Sequence, residues 1–174
     1  TLLLSGSNTF TGGMTLTSGT VQYGITGALA DAVPVILNGG TFSTGATTGF
    51  SDAVGTLELS DNSTITLGTG VHLLTFSNSS SVTWASGIML TITGWSGTPG
   101  SSGAEGKISF GSSSGITTAQ LEQIQFQVGG NYHPAIILES GEVVPNADAY
   151  HSAVSISPTI TQSFCDGISG TELT

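Results

Sequence analysis

A unit of strand, turn and strand recurs along the first half of the chain, and it constrains the fold more than any other feature. Leu16-Thr-Ser-Gly-Thr-Val21, Leu37-Asn-Gly-Gly-Thr-Phe42 and Leu59 to Ile65 align with one another, and Phe76 to Val82 follows more loosely. Their last residues lie 21, 23 and 17 positions apart. Inside the units apolar residues alternate: Met14-Leu16 then Val21-Tyr23, Val35-Leu37 then Phe42, Leu57-Leu59 then Ile65-Leu67. A period of two belongs to strands whose alternate side chains point inward. Ser-Gly, Asn-Gly-Gly and Ser-Asp-Asn bound the bursts as turn signals. No helix is expected before residue 110. An imperfect period of about 20 residues, made of strands and turns alone, predicts an all-β solenoid in which each repeat is one coil stacked on the next. An antiparallel sandwich also produces short strands at regular spacing and stands as the alternative.

The side chains between the apolar positions favour stacking. Only 7% of the 174 residues are charged, against roughly 25% in an ordinary domain. Gly, Ser, Thr and Asn occupy the polar positions, and uncharged residues can lie above one another in successive coils without the repulsion of a ladder of like charges. Eleven acidic residues face a single base, Lys107, for a net charge of −10. Nucleic acid and anionic membrane surfaces are excluded as partners, because both need a Lys/Arg surface. No apolar run approaches the roughly 18 residues of a membrane-spanning helix. The chain opens on Thr1 rather than Met, which reads as a processed or excised piece. The top of its first coil, with Leu4, Leu16 and Val21 inward, is expected to be an open edge that another coil, chain or partner covers.

The texture changes after residue 94. "GWSGTPGSSGAEG", residues 94–106, reads as a flexible turn between strands Ile88–Trp95 and Lys107–Phe110. "GITTAQLEQIQF" is the one good helix, expected over about 117–125. Thr117 and Gln120 make a capping box, Ile116 can staple onto Leu121, and Leu121 and Ile124 share a face. Such a helix, within residues 116–126, is well placed to close a stack of coils. "AIILESGEVVP" predicts a hairpin over 135–144 around Ser140-Gly141. Residues 1–145 therefore form the repeat module with its cap, 146–157 a linker, and 158–174 the first strand of something else. The lone Cys165 finds no partner within the chain.

Three stretches carry a family resemblance. "LLLSGSNTFTGGMTLTSGTVQYG" resembles the autotransporter-associated β-strand repeat, keeping Leu4, Ser5, Gly6, Asn8, Thr9, Phe10, Thr11, Gly12, Gly13, Thr15, Gly19, Thr20 and Gly24, with Met14 in place of the usual Thr. "ISFGSSSGITTAQLEQIQF" with "AIILESGEVVP" is similar to the segment that closes such arrays in bacterial surface proteins. "SPTITQSFCDGISGTELT" is similar to the opening of Ig-like repeats in very long surface proteins exported by the type IX secretion system, where Cys165 would pair within the Ig-like domain. The resemblance implies a right-handed parallel β-helix, exported and displayed at the bacterial cell surface or released from it, as a non-enzymatic stalk or adhesin module. Its partners would be neighbouring repeats or domains of the parent protein, secretion machinery or other surface chains. A repeat is a fold signature, and it implies no reaction.

Candidate chemistry is sparse. His72, His133 and His151 lie in unlike contexts with no metal-ligand spacing. Asp31, Asp52 and Asp61 fall once in each of three successive units and could align as an acidic groove for a glycan or calcium, although each sits where Asp commonly bonds its own backbone in a turn. Thr-x-Thr at Thr15-Thr17, Thr64-Thr66 and Thr91-Thr93 could order water and bind ice on a flat face, while Thr is also a common outward strand residue. Trp84, Trp95, Tyr132 and Tyr150 could stack on sugars if exposed, or fill the core. No residue is assigned a catalytic, cofactor-binding or metal-binding role, and no cofactor is expected. A glycan-binding or polysaccharide-processing module is the alternative function, and ice binding a minor one.

Overall fold

Strands separated by about one repeat lie side by side and parallel. The computed structural model describes residues 1–147, which are mostly β, with one single-turn helix. The strands in chain order are β1 (Leu2–Leu4), β2 (Met14–Leu16), β3 (Thr20–Tyr23), β4 (Val35–Asn38), β5 (Thr41–Ser43), β6 (Asp52–Val54) and β7 (Leu57–Asp61), then β8 (Ser63–Thr66), β9 (His72–Phe76), β10 (Leu90–Thr93) and β11 (Gly106–Ser109). Helix α1 (Thr118–Leu121) precedes β12 (Ile124–Val128), β13 (Asn131–Ile137) and β14 (Glu142–Pro145).

Three parallel ladders follow from the alternation. In the first, β1-β3-β5-β8-β10-β12, Val21 lies beside Phe42, Phe42 beside Ile65, Ile65 beside Ile92 and Ile92 beside Phe126. All five are buried. In the second, β2-β4-β7, Leu16, Leu37 and Leu59 form the inward row. In the third, β6-β9-β11, Asp52 pairs with Leu74 and Leu74 with Ile108. Every pairing among β1 to β10 is parallel, unlike that of an antiparallel sandwich. Aromatic rings pack between coils, with Tyr23 edge-on to Phe42 at 5.1 Å and Phe76 stacked on Phe110 at 5.4 Å. At the turn between β4 and β5 the backbone itself stacks. Gly39 and Gly40 have φ of +103° and +82°, and a Cβ at Gly40 would come within 2.8 Å of the Gly19 carbonyl in the turn above.

The end of the stack is antiparallel. β12 turns at Gly129-Gly130 into β13, β13 pairs with β14, and β14 pairs with β11. These joins merge the first and third ladders into one mixed sheet of eleven strands that curls into a half-barrel, with β2-β4-β7 as a separate sheet. At its other extremity β1 leaves Leu2 and Leu3 exposed.

Two expectations need correction. The fourth repeat does not end at Val82: Ile92 takes the place beside Ile65, 27 residues on. Residues 77–89 make a longer excursion in which Trp84 Nε1 donates to the Leu57 carbonyl at 2.9 Å and Ala85 N to that of Leu59, so the chain is held against β7 without forming a strand. The helix is also shorter than 117–125. Thr117 caps it and the Thr117–Gln120 capping box is present, but Ile124 opens β12 instead of sharing a helical face with Leu121. The pairing of β12 with β10 overrides local helical propensity. The hairpin expected over 135–144 is formed by β13 and β14. Gln120, besides closing the capping box, donates through Nε2 to the carbonyls of Ser79 and Val82, and Gln123 does so to those of Ala85 and Ile88. The helix and the turn that follows it thus pin the 77–89 excursion. The expected Ig-like strand over 158–174, Cys165 and most of the expected linker lie outside the described residues.

Candidate functional site

Among the described residues, the polar groups around Asp52, His72 and Glu142 are buried and fixed by strand register. On β6, the last strand of the large sheet, alternation turns Asp52 inward, where it is 6% exposed. Its carboxylate accepts the Leu29 N–H at 2.9 Å. Leu29 lies in the irregular segment between β3 and β4, so a side-chain oxygen does here what a ladder carbonyl would do. Tyr23 on β3 is fully buried, with its hydroxyl directed at the Asp52 carboxylate. Burial, followed by the neighbouring Asp52 charge, raises the Tyr23 hydroxyl far above the ordinary phenol range. Burial likewise raises the Asp52 carboxyl, outweighing the Leu29 N–H, the Tyr23 hydroxyl and the Ala53 N–H that favour its ionised form, and Asp31 adds to the upward push.

The second cluster surrounds His72. Nδ1 lies 2.8 Å from the Gly70 carbonyl and must carry the proton, since a carbonyl only accepts. In the neutral ring Nε2 then accepts from the Thr44 hydroxyl at 2.9 Å, which in turn receives the Gly68 N–H. Gly49 and Gly106 press on the ring. A Cβ at Gly49 would overlap the imidazole, and one at Gly106 would approach within 2.6 Å of it.

The third cluster closes the end of the stack. Glu142 on β14 is buried and accepts from Gly103 N at 2.7 Å and Ser102 Oγ at 2.6 Å, while Lys107 Nζ donates to Ser102 Oγ. The Gly/Ser/Pro turn of residues 94–106 is therefore tethered at both the side chain and the backbone, and Gly100 N adds a bond to the Pro145 carbonyl. Trp95 is buried against Phe126, ring centres 6.0 Å apart, and its Nε1 has no partner.

The acidic residues singled out from the sequence do not form a groove. Asp31 is exposed in the β3–β4 segment, Asp52 is buried on β6, and Asp61 is exposed at the end of β7, where its Oδ1 accepts the Asn62 N–H at 2.7 Å. The turn role fits Asp61. It does not fit Asp52, whose inward place on a strand was hidden because Ser51-Asp52-Ala53-Val54 has too few apolar residues to read as one. Among the described residues no three of His, Cys, Asp and Glu are grouped as a metal ion would need. His133 is buried, with Nδ1 3.3 Å from the Asn146 carbonyl, and His151 lies outside the described residues. Trp84 and Trp95 belong to the core, Tyr132 is exposed, and Tyr150 is outside the described residues.

Two of the three Thr-x-Thr motifs come together. Thr64 and Thr66 on β8 pair with Thr91 and Thr93 on β10, and Thr41 and Thr20 continue one column on β5 and β3. Thr93 Oγ1 donates to Thr66 Oγ1 at 3.0 Å, so the hydroxyls partly satisfy one another. Thr15 lies on β2 in the other sheet, beside Ile36. No helix among the described residues is long and apolar enough to cross a membrane. No protein-family model matches the chain, and no curated protein or solved structure is significantly similar to it.

Proposed function

We propose that the chain is a right-handed parallel β-helix segment that serves as a non-enzymatic, stiff structural or adhesive module of a large secreted bacterial surface protein. One observation carries the reading: three parallel ladders run from coil to coil, and the polar clusters of Asp52, His72 and Glu142 spend their hydrogen bonds within the fold, on backbone and on the Thr44 and Ser102 hydroxyls. Stacked coils resist extension along the stack through many parallel backbone bonds loaded together. With a single basic residue, little of the stability depends on ion pairs that salt would screen. The resemblance of residues 2–24 to the autotransporter-associated repeat supports export and surface display, with neighbouring domains of the parent protein as partners. Single-molecule extension tests the mechanical role: unfolding in several steps at high force is expected, and extension at a force near that of an unstructured chain would overturn it. Retention or cleavage of a polysaccharide on a glycan array would favour the glycan-processing alternative.

The Thr20-Thr41-Thr64-Thr91 column favours a second reading, in which this face orders water and binds ice. Unshaped crystals and no thermal hysteresis at millimolar protein would remove it.

A further inference from the structure

The two extremities of the stack differ in what they leave open. At the closed end β11, β12, β13 and β14 each pair with two strands. Loops cover the strands that end the other ladders. Gly27 N and Leu29 N donate to the Ser51 carbonyl and the Asp52 carboxylate along β6, while Trp84 Nε1 and Ala85 N donate to the Leu57 and Leu59 carbonyls along β7. Among the described strands that leaves β1 and β2, which pair on one side alone, with β3 and β4. Leu2 belongs to the inward row of Val21, Phe42, Ile65, Ile92 and Phe126, yet it is 60% exposed. Leu3 and Phe10 of the same coil are exposed too.

Charge narrows what can cover this edge. Residues 1–30 contain no Asp, Glu, Lys, Arg or His, so all eleven acidic residues and Lys107 come later. A charged partner finds nothing here to pair with. A second copy, which the net charge of −10 repels elsewhere, brings an edge as uncharged and apolar as the one it meets.

We propose that two copies of this chain join head to head through β1, antiparallel, about a two-fold axis. Because the far end is closed, the edge a second copy can offer is this same edge, and the contact is isologous. β1 is Leu2–Leu4, so full pairing sets Leu3 opposite the partner's Leu3 and Leu2 opposite the partner's Leu4. Opposed side chains of an antiparallel pair share a face. Leu2 and the partner's Leu4 therefore both point inward, and the inward row runs from one copy into the other. The result is one stack closed at both extremities, with no free β1 edge to recruit stray strands.

Sedimentation of the 174-residue chain in reducing buffer, where Cys165 cannot link two chains, tests this. The mass should rise with concentration to that of two chains and stop there. Added salt should strengthen the pairing, because it screens repulsion between two acidic bodies across an uncharged contact. Leu3→Glu sets like charges face to face and should weaken association at least about tenfold. Val71→Glu, at an exposed apolar residue before β9, should change it little. Both positions are exposed in the single chain, so both variants should keep its circular dichroism. Directly opposed Cα atoms in an antiparallel pair lie about 4.5–5.5 Å apart, within reach of a disulfide. Leu3→Cys combined with Cys165→Ser should therefore cross-link two copies on mild oxidation. A chain that stays monomeric at every concentration, growth beyond two copies, association indifferent to Leu3→Glu, or no cross-link at position 3 would each overturn head-to-head pairing.

Discussion

Glu142 accepts the backbone N–H of Gly103 at 2.7 Å, joining the final described strand to a loop 39 residues earlier in the chain. The same carboxylate takes the Ser102 hydroxyl, whose oxygen receives the ammonium of Lys107. Glu142→Ala strands a buried donor and should cost about 1–3 kcal/mol of unfolding free energy, read from chemical denaturation. Glu142→Gln keeps one acceptor and should cost less. Equal stability of all three proteins would show that the tether contributes nothing.

The position beside Ile65 discriminates the observed register from the simple repeat. Ile92 is fully buried there, and Val82 lies partly buried in the excursion. Ile92→Ala should therefore cost about 2–5 kcal/mol. Val82→Ala should cost about 1 kcal/mol or less, since a half-buried side chain returns little apolar area to water. The reverse order in a denaturation experiment would restore the shorter repeat.

Tyr23 should resist ionisation for as long as the protein is folded. Burial, then the Asp52 charge, raises its hydroxyl, so the folded state holds the phenolic proton more tightly than the unfolded chain. The associated stability is present below the ordinary phenol range and lost above it. In an alkaline titration the tyrosinate absorbance of Tyr23 should rise only together with loss of circular dichroism, and Tyr23→Phe should remove that component. Ionisation of Tyr23 before unfolding would contradict its burial.

The inward row was legible where alternation was strong. Leu16, Leu37 and Leu59, and Val21, Phe42 and Ile65, pair as their spacing predicts. The capping box of Thr117 and Gln120 was legible too, because it is complete within four residues. The extent of the helix was not. Nothing local tells Ile124 to leave a helical face, and its place is set by β10, whose partner residue Leu90 lies 34 residues earlier. Gly129-Gly130, with positive φ at both positions, turns Ile124–Val128 into Asn131–Ile137, a strand pair the sequence reading did not draw because helical spacing ran across the first of them. In the candidate clusters, Asp52 and Asp61 both follow a serine and were both read as turn residues. Only the strand pairing of β6 with β9 separates a buried acid from an exposed turn residue.

By itself the sequence determined that this chain is built of short half-buried strands with few charges, and which residues in the early coils face inward. Those properties are local: a side chain's face follows from its parity along the strand, and uncharged polar neighbours stack without repulsion. The tertiary structure decided which strand lies on which once the loops lengthen, how antiparallel β13 and β14 close the end, and that Asp52, His72 and Glu142 are interior. Each of those outcomes depends on hydrogen bonds and burial between residues 20 to 40 positions apart, where loop length varies and local pattern carries no record of the partner.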